Sequence, residues 1–205
     1  MSGPKPRAEP RAESLDLPAW LAARLDSLLP AGSRGGWVVA FSGGADSLSL
    51  LVALQQLRAA RPPSARVPLR AIHVDHGLNP RSASWARECR RTCRALGVPL
   101  TVHRARLAPE RGVSVESAAR DARYARLRAS VRPGEALLTA HHLDDQLETI
   151  LLQLLRGAGV NGLAAMPEVA SFGRGQHLRP LLSVERRQLL EWARAQGLRW
   201  IEDDS

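Results

Sequence analysis

Four times along this 205-residue chain a short apolar run is followed by a pattern of helical period. The first run is Trp37-Val38-Val39-Ala40-Phe41, and after it Leu48, Leu51, Leu54 and Leu57 share one helical face. Leu69 to Val74, Val98 to His103 and Ala136 to Ala140 repeat the strand pattern. Ser84 to Leu96, Ser114 to Val131 and Leu143 to Arg156 repeat the helical one, with Ser114 placed as an N-cap. Strands alternating with helices of this length form parallel βαβ units with right-handed crossovers. The expected fold is therefore α/β, a Rossmann-like parallel sheet with helices on both faces. Ligands of such folds bind beyond the carboxyl ends of the strands, where the polar and glycine-rich segments of this chain fall.

The flanks are less regular. Residues 1–13, rich in Pro, Arg and Glu, are expected to be a disordered tail, and residues 14–205 one folded domain. Leu17, Trp20, Leu21, Leu25 and Leu28 predict a helix ended by Pro30. Beyond Gly157 the pattern loosens. Val169 and Leu178 mark short strands, Ser183 to Gln196 a helix, and Arg199-Trp200-Ile201 a terminal strand.

Ser42-Gly43-Gly44-Ala45-Asp46-Ser47 joins the first strand to its helix. Glycines let the backbone approach a ligand closely, and a helix start offers free N–H groups and a positive dipole end to an anion. The plainer alternative is a tight turn with Asp46 or Ser47 capping the helix. The chain holds one lysine, Lys5, against 28 arginines, so no Walker-A lysine or Schiff-base lysine is available near this loop. A net charge of +9 favours a polyanionic partner, nucleic acid first.

A second polar segment, Thr139 to Thr149, runs from a strand end into a helix. Asp145, Glu148 and Thr149 stand at i, i+3 and i+4, while Leu147, Ile150, Leu151, Leu154 and Leu155 are expected to wrap the rest against the protein. Acids here also suit any helix N-terminus. Arg120 and Arg123 sit about one turn apart and could grip one phosphate, or simply face solvent. No His-Glu-x-x-His or Cys-x-x-Cys spacing supports a transition-metal site. Cys89 and Cys93, at i and i+4 of a helix, read as buried thiols. No apolar run reaches the ~18 residues of a membrane span and no secretory signal opens the chain, so a cytoplasmic location is expected.

The hexapeptide 42–47 resembles the PP-loop of the ATP pyrophosphatase (N-type) superfamily, whose fold is also described as adenine nucleotide alpha hydrolase-like. Further segments narrow the resemblance: His73-Val-Asp-His-Gly-Leu78, Glu116-Ser-Ala-Ala-Arg-Asp-Ala-Arg-Tyr124, His141-His-Leu-Asp-Asp-Gln-Leu-Glu-Thr149, Arg156-Gly-Ala-Gly-Val-Asn-Gly-Leu163, Arg179-Pro-Leu-Leu182 and Trp200-Ile-Glu-Asp-Asp-Ser205. Together they are similar to the tRNA(Ile)-lysidine synthetase family, although Asn79 and Ala165 stand where arginine and glycine are frequent.

The resemblance implies an ATP-dependent ligase that joins free L-lysine to the wobble cytidine of a tRNA(Ile) with a CAU anticodon, through an adenylated intermediate. It places ATP on Ser42, Gly43, Gly44, Ala45, Asp46 and Ser47, with Mg²⁺ at Asp46. It implies catalytic roles for Asp46, Arg120, Arg123, Asp145 and Glu148. Lysine and tRNA would meet His142, Asp145, Glu148, Arg156 and Arg186, with Asp145 and Glu148 on the lysine ammonium and Arg186 on its carboxylate. The family's C-terminal tRNA-gripping domains would lie outside these residues. The alternatives are a PP-loop tRNA thiolase and a non-catalytic ATP- or tRNA-binding fragment.

Overall fold

The computed structural model describes residues 15–29, 35–75, 77, 79–105, 114–157 and 164–202. The expected tail over residues 1–13 and most of the 156–163 segment lie outside them. The elements are α1 (Leu17–Leu28), β1 (Trp37–Ala40), α2 (Ala45–Ala60), β2 (Leu69–Asp75), α3 (Ser82–Ala95), β3 (Leu100–Arg104), α4 (Val115–Ser130), β4 (Ala136–Leu138), α5 (Leu143–Leu155), β5 (Val169–Phe172), β6 (Gly175–Leu178) and α6 (Arg186–Ala195).

The six strands form one sheet in the order β3-β2-β1-β4-β6-β5. Every pairing is parallel except the β5–β6 hairpin at one edge. The chain leaves β1 toward β2 and β3 on one side, then returns to place β4 on the other. β1 and β4 therefore flank the switch point at which such sheets bind ligands.

Helices cover both faces, unequally. Side chains of α1, α2, α3 and α6 pack with Val39, Ala71 and Leu138 into the larger core. On the opposite face, Leu127 and Tyr124 of α4 pack with Val38, Ile72, Leu137 and Phe172. β1 is apolar throughout because it is covered from both sides. The arginine-rich α3 buries Ala86, Cys89 and Cys93 along one stripe. Ser114 caps α4, its side chain accepting from the Ser117 amide.

Two sequence expectations need correction. Residues 199–201 form no strand; the Ile201 amide instead donates to the Gly43 carbonyl at 3.0 Å. The leucines of α5 do not wrap against the sheet. Leu147, Leu151, Leu154 and Leu155 are 56%, 57%, 49% and 83% exposed. What meets this helix is the returning chain, through Gln146 to the Met166 backbone and Gln153 to the Ala164 carbonyl. Apolar period shows that a face can be covered, not that the sheet is what covers it. Among the described residues, no helix is long and apolar enough to cross a membrane.

Candidate active site

The loop after β1 is held from three directions. The Phe41 amide donates to the Ile72 carbonyl at 2.8 Å, which prolongs the strand path. The Ser42 and Ser47 hydroxyls lie 2.9 Å apart, and the Gly44 amide donates to Ser42 Oγ at 3.3 Å. Gly43 then turns with φ +93°, a conformation that favours glycine. A Cβ on Gly43 would stand 2.5 Å from Ile201 Cδ1 and 2.9 Å from Cys89 Sγ.

Gly44 is different. Its φ of −72° suits any residue, and a Cβ there would meet only Ser42 Oγ, at 3.5 Å. It is the N-cap of α2, and no side chain caps the helix. The turn-with-cap alternative for Asp46 or Ser47 is thus not what forms. The first amides of α2 lack acceptors within the helix, and they remain available to an anion.

Asp46, in the first turn of α2, meets the second polar segment. Its Oδ2 lies 3.8 Å from His142 Nε2 and 3.6 Å from Arg186 Nε. Its Oδ1 is buried without a hydrogen-bond partner among the described residues. Burial lifts the Asp46 carboxyl above its ordinary range, against the pull of His142 and Arg186. His142 is the buried N-cap of α5. It forms a reciprocal box with Asp145: the His142 amide donates to Asp145 Oδ2 at 2.8 Å, and His142 Nδ1 accepts from the Asp145 amide at 3.4 Å. Asp145 thus does the work of a helix start as well as facing the cluster.

Sequence reasoning passed over Asp144. Its Oδ2 accepts from the Arg186 amide at 2.9 Å, and this bond holds its carboxyl below the usual range. With Leu143 N donating to the Val184 carbonyl at 2.9 Å, it joins the starts of α5 and α6 and so delivers Arg186 to Asp46. The signal was a second acid in the first turn of a helix.

Glu148 stands one turn beyond Asp145 and is exposed. Arg156 closes the far end of α5, roughly 16 Å along the axis from Asp145 at ~1.5 Å per residue, and does not join the cluster. Arg120 and Arg123 embrace the Tyr124 ring, their guanidinium carbons 5.4 and 5.5 Å from its centroid.

Beside the loop opens a cleft of about 280 Å³, lined by Ser42, His73, Trp85, Arg123, Tyr124 and His141 among others. That volume is near the lower bound for small-ligand sites. Ser42 faces the cleft and Asp46 faces the cluster, so the loop serves both.

Among known proteins, the chain is 50% identical over 181 residues to a Pseudomonas aeruginosa protein named tRNA(Ile)-lysidine synthase. The match takes in 88% of this chain and 40% of the relative. It is 51% identical over 168 residues to the Escherichia coli O157:H7 protein of that name, across 82% of this chain and 38% of the relative. The chain thus spans about two fifths of the length of these relatives. Among solved structures, the U34-tRNA thiolase NcsA of Methanococcus maripaludis superposes with a TM-score of 0.71 at 18% identity, covering 91% of this chain and 65% of that one. The NH3-dependent NAD synthetase of Campylobacter jejuni gives 0.55 at 13% identity, covering 89% and 71%. These two show the fold alone. A PP-loop domain model matches residues 19–205, a span that contains the strand, the glycine turn and the uncapped helix just described, and the chain belongs to that PP-loop domain family.

Proposed function

We propose that this chain carries the catalytic domain of an ATP-dependent ligase that forms lysidine at the wobble cytidine of a tRNA(Ile) with a CAU anticodon. What carries the reading is identity of 50% and 51% to tRNA(Ile)-lysidine synthases over 88% and 82% of this chain.

In the first step the 2-carbonyl oxygen of the cytidine attacks the α-phosphorus of ATP, and the bond to pyrophosphate breaks. The unpaired amides at the start of α2 receive the departing anion, and they are aimed before charge develops. Gly44 leaves the approach clear. Arg123, on the cleft wall, and Arg120 beside it supply positive charge for the α-phosphate. Mg²⁺ accompanies ATP as part of the substrate. Asp46, whose Oδ1 has no hydrogen-bond partner among the described residues, would hold that ion, which would supply positive charge to the phosphates.

In the second step the ε-amine of lysine, having given up a proton, attacks C2 of the activated ring, and AMP leaves with the C–O bond electrons. Asp145 and Glu148 hold the ammonium before that proton is lost, and Arg186 pairs with the lysine carboxylate. His142 braces Asp145 and Asp46 between the two substrates. Arg156, remote from the cluster, is assigned to tRNA.

The thiolase alternative needs a cysteine that carries sulfur or ligates a cluster. Both cysteines are free and buried in α3, and burial pushes their thiols up to about 12 for Cys89 and about 11 for Cys93. The deciding assay incubates the chain with ATP, labelled lysine and tRNA(Ile) bearing CAU. Pyrophosphate release together with lysine in the tRNA supports the reading. Pyrophosphate release with no lysine incorporated rejects the ligase. Neither product points to the binding fragment.

A further inference from the structure

Behind the cleft lies a hydrogen-bonded chain that neither reaction step above uses. Thr139, buried at the end of β4, places its Oγ1 2.8 Å from Nδ1 of His141 and 2.9 Å from Nε2 of His177. His177 sits on β6, 2% exposed, with its ring 5.4 Å from Phe172 and 6.1 Å from Tyr124. Both imidazoles are neutral at pH 7. Burial, with the nearby arginines, lowers His141 to about 4 against the pull of Asp145, and burial, Arg179 and His141 lower His177 to about 3.

A neutral imidazole carries one N–H, and a threonine hydroxyl carries one hydrogen. Two rings donating together to Oγ1 would leave the buried hydroxyl hydrogen with no acceptor among the described residues, so the chain of two bonds runs in one of two directions. Either His177 Nε2–H donates to Thr139 and Thr139 donates to His141 Nδ1, or both bonds reverse. The choice fixes the free end. In the first direction His141 carries its proton on Nε2, a donor at the cleft it lines. In the second, Nε2 is a bare acceptor.

The charges around the cleft select between them. Asp145 acts on His141 with a negative charge, and Arg120, Arg123 and Arg179 act on it together with positive charge. Among the described residues, none of the three guanidiniums has a carboxylate within salt-bridge range. A ligand atom gathered there is anionic, and an anionic oxygen only accepts. His141 must then donate from Nε2, Thr139 must donate to Nδ1, and His177 must donate to Thr139.

We propose that His177 is a positioning residue which, through the Thr139 hydroxyl, holds His141 as a neutral Nε2–H donor aimed at a phosphate oxygen of the nucleotide in the cleft. The choice of a phosphate rests on the functional reading above, whereas the direction of the chain can be read without any nucleotide.

The test is long-range ¹H–¹⁵N correlation of the histidine rings in the 205-residue chain, which distinguishes the two tautomers. His141 and His177 should both carry the proton on Nε2. Thr139→Val removes the hydroxyl at nearly constant volume and should populate both His141 tautomers. His177→Phe, which keeps a ring beside Phe172 and Tyr124, should do the same. Thr139→Ser should restore the single form. Pyrophosphate release should fall about ten-fold in the first two variants, the loss of one charge-assisted bond, and recover in Thr139→Ser. A proton on His141 Nδ1 in the unsubstituted chain, or an unchanged His141 tautomer in folded Thr139→Val, overturns the proposal. The stated tautomers together with no ATP binding by calorimetry would uphold the relay and remove the nucleotide reading instead.

Discussion

The Ile201 amide donates to the Gly43 carbonyl at 3.0 Å, and the Ile201 side chain lies where a Gly43 Cβ would have to go. A segment from the end of the described chain thus clamps the turn that follows β1. This separates the two glycines: the fold demands Gly43, whereas the backbone and packing at Gly44 would admit a side chain.

The first prediction uses that separation. Gly43→Ala forces a side chain into φ +93° and against Ile201 and Cys89. Strain of about 1–2 kcal/mol and overpacking of about 1–3 kcal/mol should together lower the melting temperature by several degrees. Gly44→Val meets ordinary backbone and puts its Cβ at an ordinary contact distance from Ser42 Oγ, so it should melt within a few degrees of the parent yet lose ATP binding by calorimetry. Unchanged ATP affinity in Gly44→Val would remove the loop from nucleotide binding.

The second prediction concerns the opposite edge of the sheet. Arg70 forks onto Glu135, with Nε to Oε1 at 2.9 Å and Nη2 to Oε2 at 2.6 Å, and also donates to the Ser130 carbonyl at 2.8 Å. Burial raises the Glu135 carboxyl, but Arg70 and the Arg132 amide more than offset it and hold it below the usual range. A depressed folded value contributes stability above the ordinary carboxylate pKa, near ~4.3, that is lost as pH falls through the folded value. Glu135→Gln should therefore cost about 2–3 kcal/mol in urea unfolding at pH 7, and the gap to the parent should narrow on acidification. An equal gap at all pH values would assign the effect to packing rather than charge.

How far the site was legible follows from which residues announce their partners. The 42–47 loop and the Thr139 to Thr149 segment stand at strand ends in the sequence, and the parallel topology brings both to the β1–β4 switch point. Asp46 meets His142 there for that reason alone. The Asp144–Arg186 bond was not legible, because a carboxylate at a helix start shows its own helix but not the second helix it joins. His177 was missed for a related reason. It lies on a short strand after a loose, glycine-broken stretch, and only the β4–β6 pairing sets it beside Thr139. Arg156 carries the family motif, yet sequence spacing along α5 already puts it three turns from Asp145. The terminal strand failed because one backbone bond to Gly43 orders Ile201 without any ladder.

A third prediction follows from the charge balance, 29 basic against 20 acidic residues. Binding of tRNA(Ile) should weaken steeply with salt as counterions return to the phosphates. A log–log slope steeper than about −2 is expected, the release from about three phosphates at ~0.7–0.9 each. Fluorescence anisotropy from low to physiological salt measures it. A flat plot would argue against an arginine-led tRNA surface on this chain.

The last prediction separates the two chemical steps, and the structure dictates which carboxylate to change. Asp145 accepts from the His142 amide in the cap of α5, so removing its charge also loosens a helix start. Glu148 is exposed one turn later, carries no such bond, and tests lysine recognition without that complication. Glu148→Gln keeps the side-chain shape and, on the proposed function, would remove a charge-assisted bond to the lysine ammonium, worth roughly 1.5–3 kcal/mol. Lysine transfer below saturation should then fall about ten- to a hundred-fold, while adenylation proceeds. The adenylated tRNA should accumulate or hydrolyse, visible as pyrophosphate release without lysine incorporation. Parallel loss of both products would move Glu148 to the ATP and Mg²⁺ side of the loop. Loss of neither would leave Glu148 as a solvated residue of the second turn, and the ammonium would have to be held by Asp145 and Asp46, the carboxylates that His142 already joins.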